Sequence, residues 1–215
     1  MGMARKGIKM ETNNTKVSTA RSIACTAMFS AVAFVLMYIE VAIPIIPSFI
    51  KFDFSDLPAL IGAFALGPVY GVIIELVKNL LHLVFSQSMF IGELSNFMLG
   101  AVFTFTAGAI YKSKKSKKSA VIGGVTGSVA MGVVSVFTNL LIVYPIYVAV
   151  YFGGDESICI GMYQAIAPFL KLDSILSCLL YFNLPFTIVK GLISVIITFL
   201  VYKRISPIIK GTASR

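Results

Sequence analysis

Between residues 120 and 151 the chain carries no charged side chain. At a helical rise of about 1.5 Å per residue this stretch exceeds the roughly 30 Å hydrocarbon core of a bilayer. Comparable apolar runs cover residues 22–41, 69–85, 93–111 and 184–202. With 58% hydrophobic residues, 13% charged residues and a mean hydropathy of +0.92, a soluble domain is excluded. One compact membrane domain is the natural reading. The net charge of +9 would suggest nucleic acid in a soluble protein. Here the charges gather in a few loops, which is a topology signal, and no nucleic-acid partner is expected.

A further apolar piece, residues 56–66, is the difficult one. At about 1.5 Å per residue it covers some 16 Å, about half the hydrocarbon thickness. Gly67-Pro68 then punctuates the chain, and Ser55 or Asp56 stands where an N-cap belongs. Residues 56–85 therefore make either two crossings or one kinked helix. Charge decides. With six spans and the N-terminus inside, the cytoplasmic side receives the basic residues of the N-terminal tail, the KSKKSKK loop (Lys112–Lys118) and Lys203, Arg204, Lys210 and Arg215. Only Lys51, Lys78, Lys171 and Lys190 then lie elsewhere. Glu40, Asp53, Asp56, Glu93, Asp155, Glu156 and Asp173 fall outside or at the outer boundary. Five spans would split the basic loops between the two sides, against the positive-inside bias. The expected fold is an all-α integral membrane protein with six transmembrane helices and both termini cytoplasmic. Residues 1–20 form a disordered cytoplasmic tail, 21–204 the membrane domain and 205–215 a second cytoplasmic tail. The first apolar run is too long for a signal-peptide core and should stay as the first span. Residues 158–180 are expected to form a surface helix, and Pro145 to break the fifth span near its end.

Polar residues recur in register inside these runs. The third span carries Glu75, Lys78, Asn79 and His82 on one face, and the fourth carries Glu93, Asn96, Gly100 and Thr104. The fifth has Ser135, Thr138 and Asn139. The sixth has a stripe of Asn183, Thr187, Lys190, Ser194 and Thr198. An ammonium inside a span costs about 2.5 kcal/mol or more on insertion scales, and no acid lies at helical spacing from Lys190. It snorkels, pairs with a carboxylate of another helix such as Glu93, or contacts a ligand, and the ligand contact is preferred. If the sixth span begins near Leu184, Lys190 lies about 9 Å deep, and Asn139 roughly 18 Å from the outer end of the fifth span. Donors and acceptors then converge on a pocket open to the outside, under the loops around 45–53 and 152–160, suited to a polar or heteroaromatic small molecule. Glu75 and Lys78 can pair along their own helix, and His82 can bond a loop carbonyl. That structural account stands beside a proton relay. Ala20, Ala24, Ala27 and Ala31 form a small-residue stripe on the first span, fit for close approach inside the bundle or to another subunit.

No GxxxxGK[ST] phosphate loop, HExxH, GxSxG or CxxC motif occurs, and there is one His. Cys25, Cys159 and Cys178 show no metal or redox spacing. An ATP-driven motor, a multi-His metal site and an intramembrane enzyme are all unsupported, and no cofactor is expected.

The blocks KFDFSDLPALIGAFALGPVYGVIIELVKNLLH, GELSNFMLG, FTNLLIVYPIY and LPFTIVKGLI resemble the riboflavin-specific substrate-binding (S) components of energy-coupling factor (ECF) transporters, in order, over nearly all of residues 20–204. The resemblance implies six helices and a vitamin pocket near the outer surface of a bacterial plasma membrane. It also implies a transmembrane coupling protein and two ABC-type ATPases as partners, and Ala27-xxx-Ala31 is similar to the family's docking motif. For isoalloxazine recognition it implies Asn139, Thr187 and Lys190. Thr187 departs from the family pattern Pro-Phe-Asn-x-x-Lys, and Asn183, one turn away, is the substitute amide. Asn96 and Gly100 add a wall from the fourth span, and Ser48 and Phe49 stand for the loop that holds the ribityl chain. An S component for another vitamin and a stand-alone proton-coupled carrier are the alternatives.

Overall fold

The computed structural model describes residues 19–47 and 50–210, with side chains through residue 201. Ser48, Phe49, residues 1–18 of the first expected tail and residues 211–215 of the second lie outside the described residues, while 205–210 continue the last helix instead of forming a tail. Helix α1 is Thr19–Tyr38, followed by a two-stranded antiparallel hairpin, β1 (Val41–Ala42) and β2 (Lys51–Phe52), with Val41 opposite Phe52 and Ala42 opposite Lys51. Then come α2 (Asp56–Ala65), α3 (Pro68–His82) with a 3₁₀ turn to Phe85, α4 (Ile91–Ser113) and α5 (Lys117–Thr138). The chain continues through α6 (Tyr144–Tyr151), α7 (Glu156–Ile166), α8 (Ile175–Cys178) and α9 (Leu184–Lys210). Five helical stretches are long and apolar enough to cross a membrane: Thr19–Tyr38, Pro68–Phe85, Ile91–Ser113, Lys117–Tyr151 and Ile175–Val201.

Helix α2 is the short one, and its surroundings explain why it tolerates its length. From Pro58 to Phe64 each residue is buried, so the helix lies inside the bundle against α1, α3, α4 and α9 instead of against lipid. Its expected side-chain cap does not form. Ser55 occupies the N-cap position, but its hydroxyl accepts a hydrogen bond from Lys78 Nζ at 2.7 Å, and Asp56 accepts another from the same ammonium at 2.7 Å. A buried cation has claimed both groups, because leaving it unpaired costs more than leaving a helix end uncapped.

The end of the chain corrects the expected boundaries. Residues 158–180 are not one surface helix: α7 stops at Ile166, and the segment from Ile175 belongs to the last span. That span runs through a π turn at Leu179–Asn183 into α9. A matching π turn, Asn139–Val143, joins α5 to α6. Each begins six residues before a proline, Pro145 or Pro185. Proline has no N–H for the carbonyl one turn earlier and crowds it, and a widened turn accommodates both effects. The expected start of the sixth span near Leu184 is therefore too late: the span begins at Ile175, and Pro185 stands at the second position of α9.

Packing is antiparallel and close. A Cβ on Gly127 would stand 2.8 Å from the Phe103 carbonyl oxygen, and one on Gly124 would stand 2.6 Å from Val195, so α5 lies tightly between α4 and α9. The Gly67-Pro68 turn packs beside Gly108, near the end of α4 that leads into the lysine-rich loop. The stripe Ala20, Ala24, Ala27 and Ala31 is exposed throughout, so it faces away from the bundle.

Candidate functional site

A cavity of about 750 Å³ opens in the half of the bundle remote from the lysine-rich loop. The first half of α4 supplies Asn96 and Gly100, the far end of α5 and its π turn supply Asn139, and the start of α9 supplies Asn183, Thr187 and Lys190. The hairpin contributes Lys51 and, just after it, Asp53. Six of the eight residues expected to bind substrate therefore line one cavity, while Ser48 and Phe49 lie outside the described residues.

Three of these side chains keep hydrogen-bonding capacity unused. Asn139 and Thr187 are both more than nine-tenths buried, and neither side chain has a hydrogen-bond partner among the described residues. Asn96 Oδ1 is likewise buried without a partner, while its Nδ2 makes only a long 3.5 Å contact to Asp53. A buried polar atom without a partner, such as Asn96 Oδ1, is costly, so a cavity lined by these three side chains fits a ligand with complementary donors and acceptors.

Lys190 corrects the sequence reading. Its ammonium lies 3.0 Å from Asp53 Oδ2 and 3.2 Å from Asp56 Oδ2, so the paired carboxylates come from the hairpin end and α2, not from Glu93. An ammonium has three N–H groups, so two acids leave one for the cavity. Because the last span starts at Ile175, Lys190 is roughly 22 Å along it by helical rise, close to the depth of Asn139. Asp53 and Asp56 lie far from Lys190 in sequence, and no spacing rule links them to it. Their position at the outer boundary marked them only as topological acids.

The ion cluster continues behind the wall. Lys78 is fully buried and lies 2.7 Å from both Asp56 Oδ1 and Glu75 Oε2. Glu75 backs onto Gly100, where any Cβ would collide with its carboxylate, so the glycine makes room for a charge. His82 does not bond a loop carbonyl. Its Nδ1 is 2.9 Å from Glu93 Oε1, and Glu93 Oε2 accepts from Ser86 and Ser88 hydroxyls at 2.8 and 3.1 Å. Helices α3 and α4 and the loop between them are fastened at one carboxylate.

Asn183 is also engaged. Its Nδ2 donates to the Tyr144 hydroxyl at 3.0 Å, and its Oδ1 accepts from Tyr163 at 2.8 Å, while the two hydroxyls bond each other. This ring joins α6, α7 and the second π turn, and burial pushes the Tyr163 hydroxyl well above its usual range. The sequence reading missed both tyrosines; Tyr144, five residues beyond Asn139, was the available signal. Burial also holds the Cys159 thiol up at about 11, so it is no thiolate nucleophile. Among the described residues, no group of three His, Cys, Asp or Glu side chains could hold a metal ion.

A helical bundle with five membrane-length apolar stretches encloses a polar-lined cavity of a size that suits a small molecule. Comparison gives the particular family. The family described as "ECF transporter, substrate-specific component" matches residues 21–202, and this chain belongs to it. The chain is 35% identical over 206 residues to a riboflavin transporter, RibU, of Staphylococcus aureus, covering 96% of this chain and 97% of that protein. It is 26% identical to the riboflavin transporter FmnP of Bacillus subtilis, over 90% and 96% of the two chains. A solved S component of a bacterial ECF transporter superposes with a TM-score of 0.70 at 35% identity, covering 90% of this chain and 99% of that one. These are transporter components, not enzymes.

Proposed function

We propose that this chain captures riboflavin from outside the cell in the 750 Å³ cavity and is the substrate-binding component of an ECF-type vitamin uptake transporter. The observation that carries the reading is the convergence of Asn96, with its buried and unpartnered Oδ1, and of Asn139, Thr187 and Lys190 on one cavity, in a chain so similar to a riboflavin transporter. The cavity volume lies within the range of about 300–1,000 Å³ typical of small-molecule sites. In this reading the flavin ring edge meets Asn139, Thr187 and the remaining N–H of Lys190. Asn96 and the Gly100 wall close the other side, and the loop containing Ser48 and Phe49 holds the ribityl chain.

The chain crosses the membrane six times, with α2 as the short second crossing and both termini in the cytoplasm. Support comes from the positive-inside pattern: the cavity lies at the end away from the KSKKSKK loop and so faces outward. The exposed Ala27 and Ala31 receive a transmembrane coupling protein, and two ABC-type ATPases supply the energy this chain has no phosphate loop to harvest. A stand-alone proton carrier is disfavoured because Lys78 and His82 are both held by carboxylates of the protein itself. Purification is the test: the protein should elute yellow, with flavin absorption following it through a column. A colourless preparation that binds no added riboflavin contradicts the proposal.

A further inference from the structure

The cavity accounts for the charges at one end of the bundle; those at the other end have no role in it. Between Glu93 and Asp155 the sequence contains no acid, and within that interval stand Lys112, Lys114, Lys115, Lys117 and Lys118. A tight turn between α4 and α5, closed by the Ser116 N–H donating to the Lys114 carbonyl at 2.8 Å, gathers all five. Ser113 and Ser119 both donate to the Ile110 carbonyl, at 2.8 and 2.9 Å. All five lysines are exposed. None forms an ion pair among the described residues, whereas Lys51, Lys78 and Lys190 each have a carboxylate. The antiparallel register that sets Val195 beside Gly124 also carries the α9 backbone at Lys203 and Arg204 to the level of Lys117.

The position of this patch selects its occupant. It is built on α4, α5 and α9, while the exposed alanine stripe belongs to α1, which packs on α2 and α3. A partner docked on α1 leaves the basic corner at the bilayer surface. The lysines sit at the adjoining ends of two apolar helical stretches long enough to cross a membrane, Ile91–Ser113 and Lys117–Tyr151.

We propose that the α4–α5 turn is a binding site for the headgroups of anionic phospholipids, holding them beside this corner of the bundle. Juxtamembrane lysines near an anionic surface each contribute about fivefold to the association, and salt screens the effect. The site lets the protein keep a shell of anionic lipid on the side away from α1, independently of what occupies the cavity. The inference rests on the membrane-spanning reading but on neither the riboflavin assignment nor the orientation.

The test reconstitutes the full chain into phosphatidylcholine vesicles with trace spin-labelled phosphatidylglycerol or phosphatidylcholine, and compares the immobilised fractions. The wild type should select phosphatidylglycerol by at least about fivefold, one lysine's worth. Exchange of Lys114, Lys115, Lys117 and Lys118 for Ser should strongly reduce the preference, and Lys115→Ser alone should reduce it less. Equal immobilisation of the two lipids in the wild type, or undiminished preference in the fourfold variant, overturns the proposal. Phosphate and chloride buffers of equal ionic strength should give the same selectivity; displacement by phosphate alone assigns the patch to a soluble anion and also overturns it. An unchanged Tm of the same variants in detergent checks that the bundle is intact.

Discussion

Two helices present polar residues at the same spacing and put them to different uses. On α3, the row Glu75, Lys78, Asn79 and His82 is buried and its charges are met by protein: Lys78 by Ser55, Asp56 and Glu75, and His82 by Glu93. On α9, Thr187 has no side-chain partner among the described residues, Lys190 is paired with Asp53 and Asp56, and both line the cavity. The difference arises from what faces each helix. Opposite the charges of α3 stand the acidic start of α2 and the first turn of α4; Lys190 of α9 shares Asp56 with Lys78, but beside Thr187 lies the cavity. A polar row inside an apolar helix thus signals an inward face, and only its neighbours decide between framework and site.

Substitutions should separate the two. Lys78→Met leaves Asp56 and Glu75 buried without their shared cation, and should cost about 3–5 kcal/mol of stability, read as a lowered Tm in detergent. An unchanged Tm would mean that the α3 row is not framework. Gly100→Ala presses a methyl group against the Glu75 carboxylate and should cost about 1–3 kcal/mol, again visible in Tm. Lys190→Ala should weaken riboflavin binding at least tenfold, about 1.4 kcal/mol, in a titration followed by flavin fluorescence. Equal affinity would move the site away from α9. Thr187→Asn restores a paired donor and acceptor and should tighten binding by about 1 kcal/mol, roughly fivefold. A weaker complex would mean that the hydroxyl is matched to the ligand as it stands.

Much of this was legible in the sequence because its causes are local. Apolar run lengths gave the long spans, Gly67-Pro68 gave the break before α3, and 3.6-residue spacing gave the buried stripe from Asn183 to Thr198. The failures were non-local. Lys190 pairs with acids 137 and 134 positions earlier in the chain, a contact no periodicity encodes. The reach of α2 and α3 toward each other is likewise tertiary, and it removed the expected Ser55 cap. The last span starts at Ile175, nine residues before the expected start near Leu184, because a π turn carries the helix on ahead of Pro185. The alanine stripe left two directions open, and packing of α1 on α2 and α3 turned it outward.

The central claim is that one riboflavin occupies the cavity bounded by α4, α5 and α9. The direct measurement is an equilibrium titration of ligand-free, detergent-solubilised protein with riboflavin, following quenching of flavin fluorescence in the wild type and in Asn139→Ala. Saturation at one equivalent in the wild type, with at least tenfold weaker binding in Asn139→Ala, is the predicted result. No saturable quenching in the wild type, or identical curves for the two proteins, contradicts it.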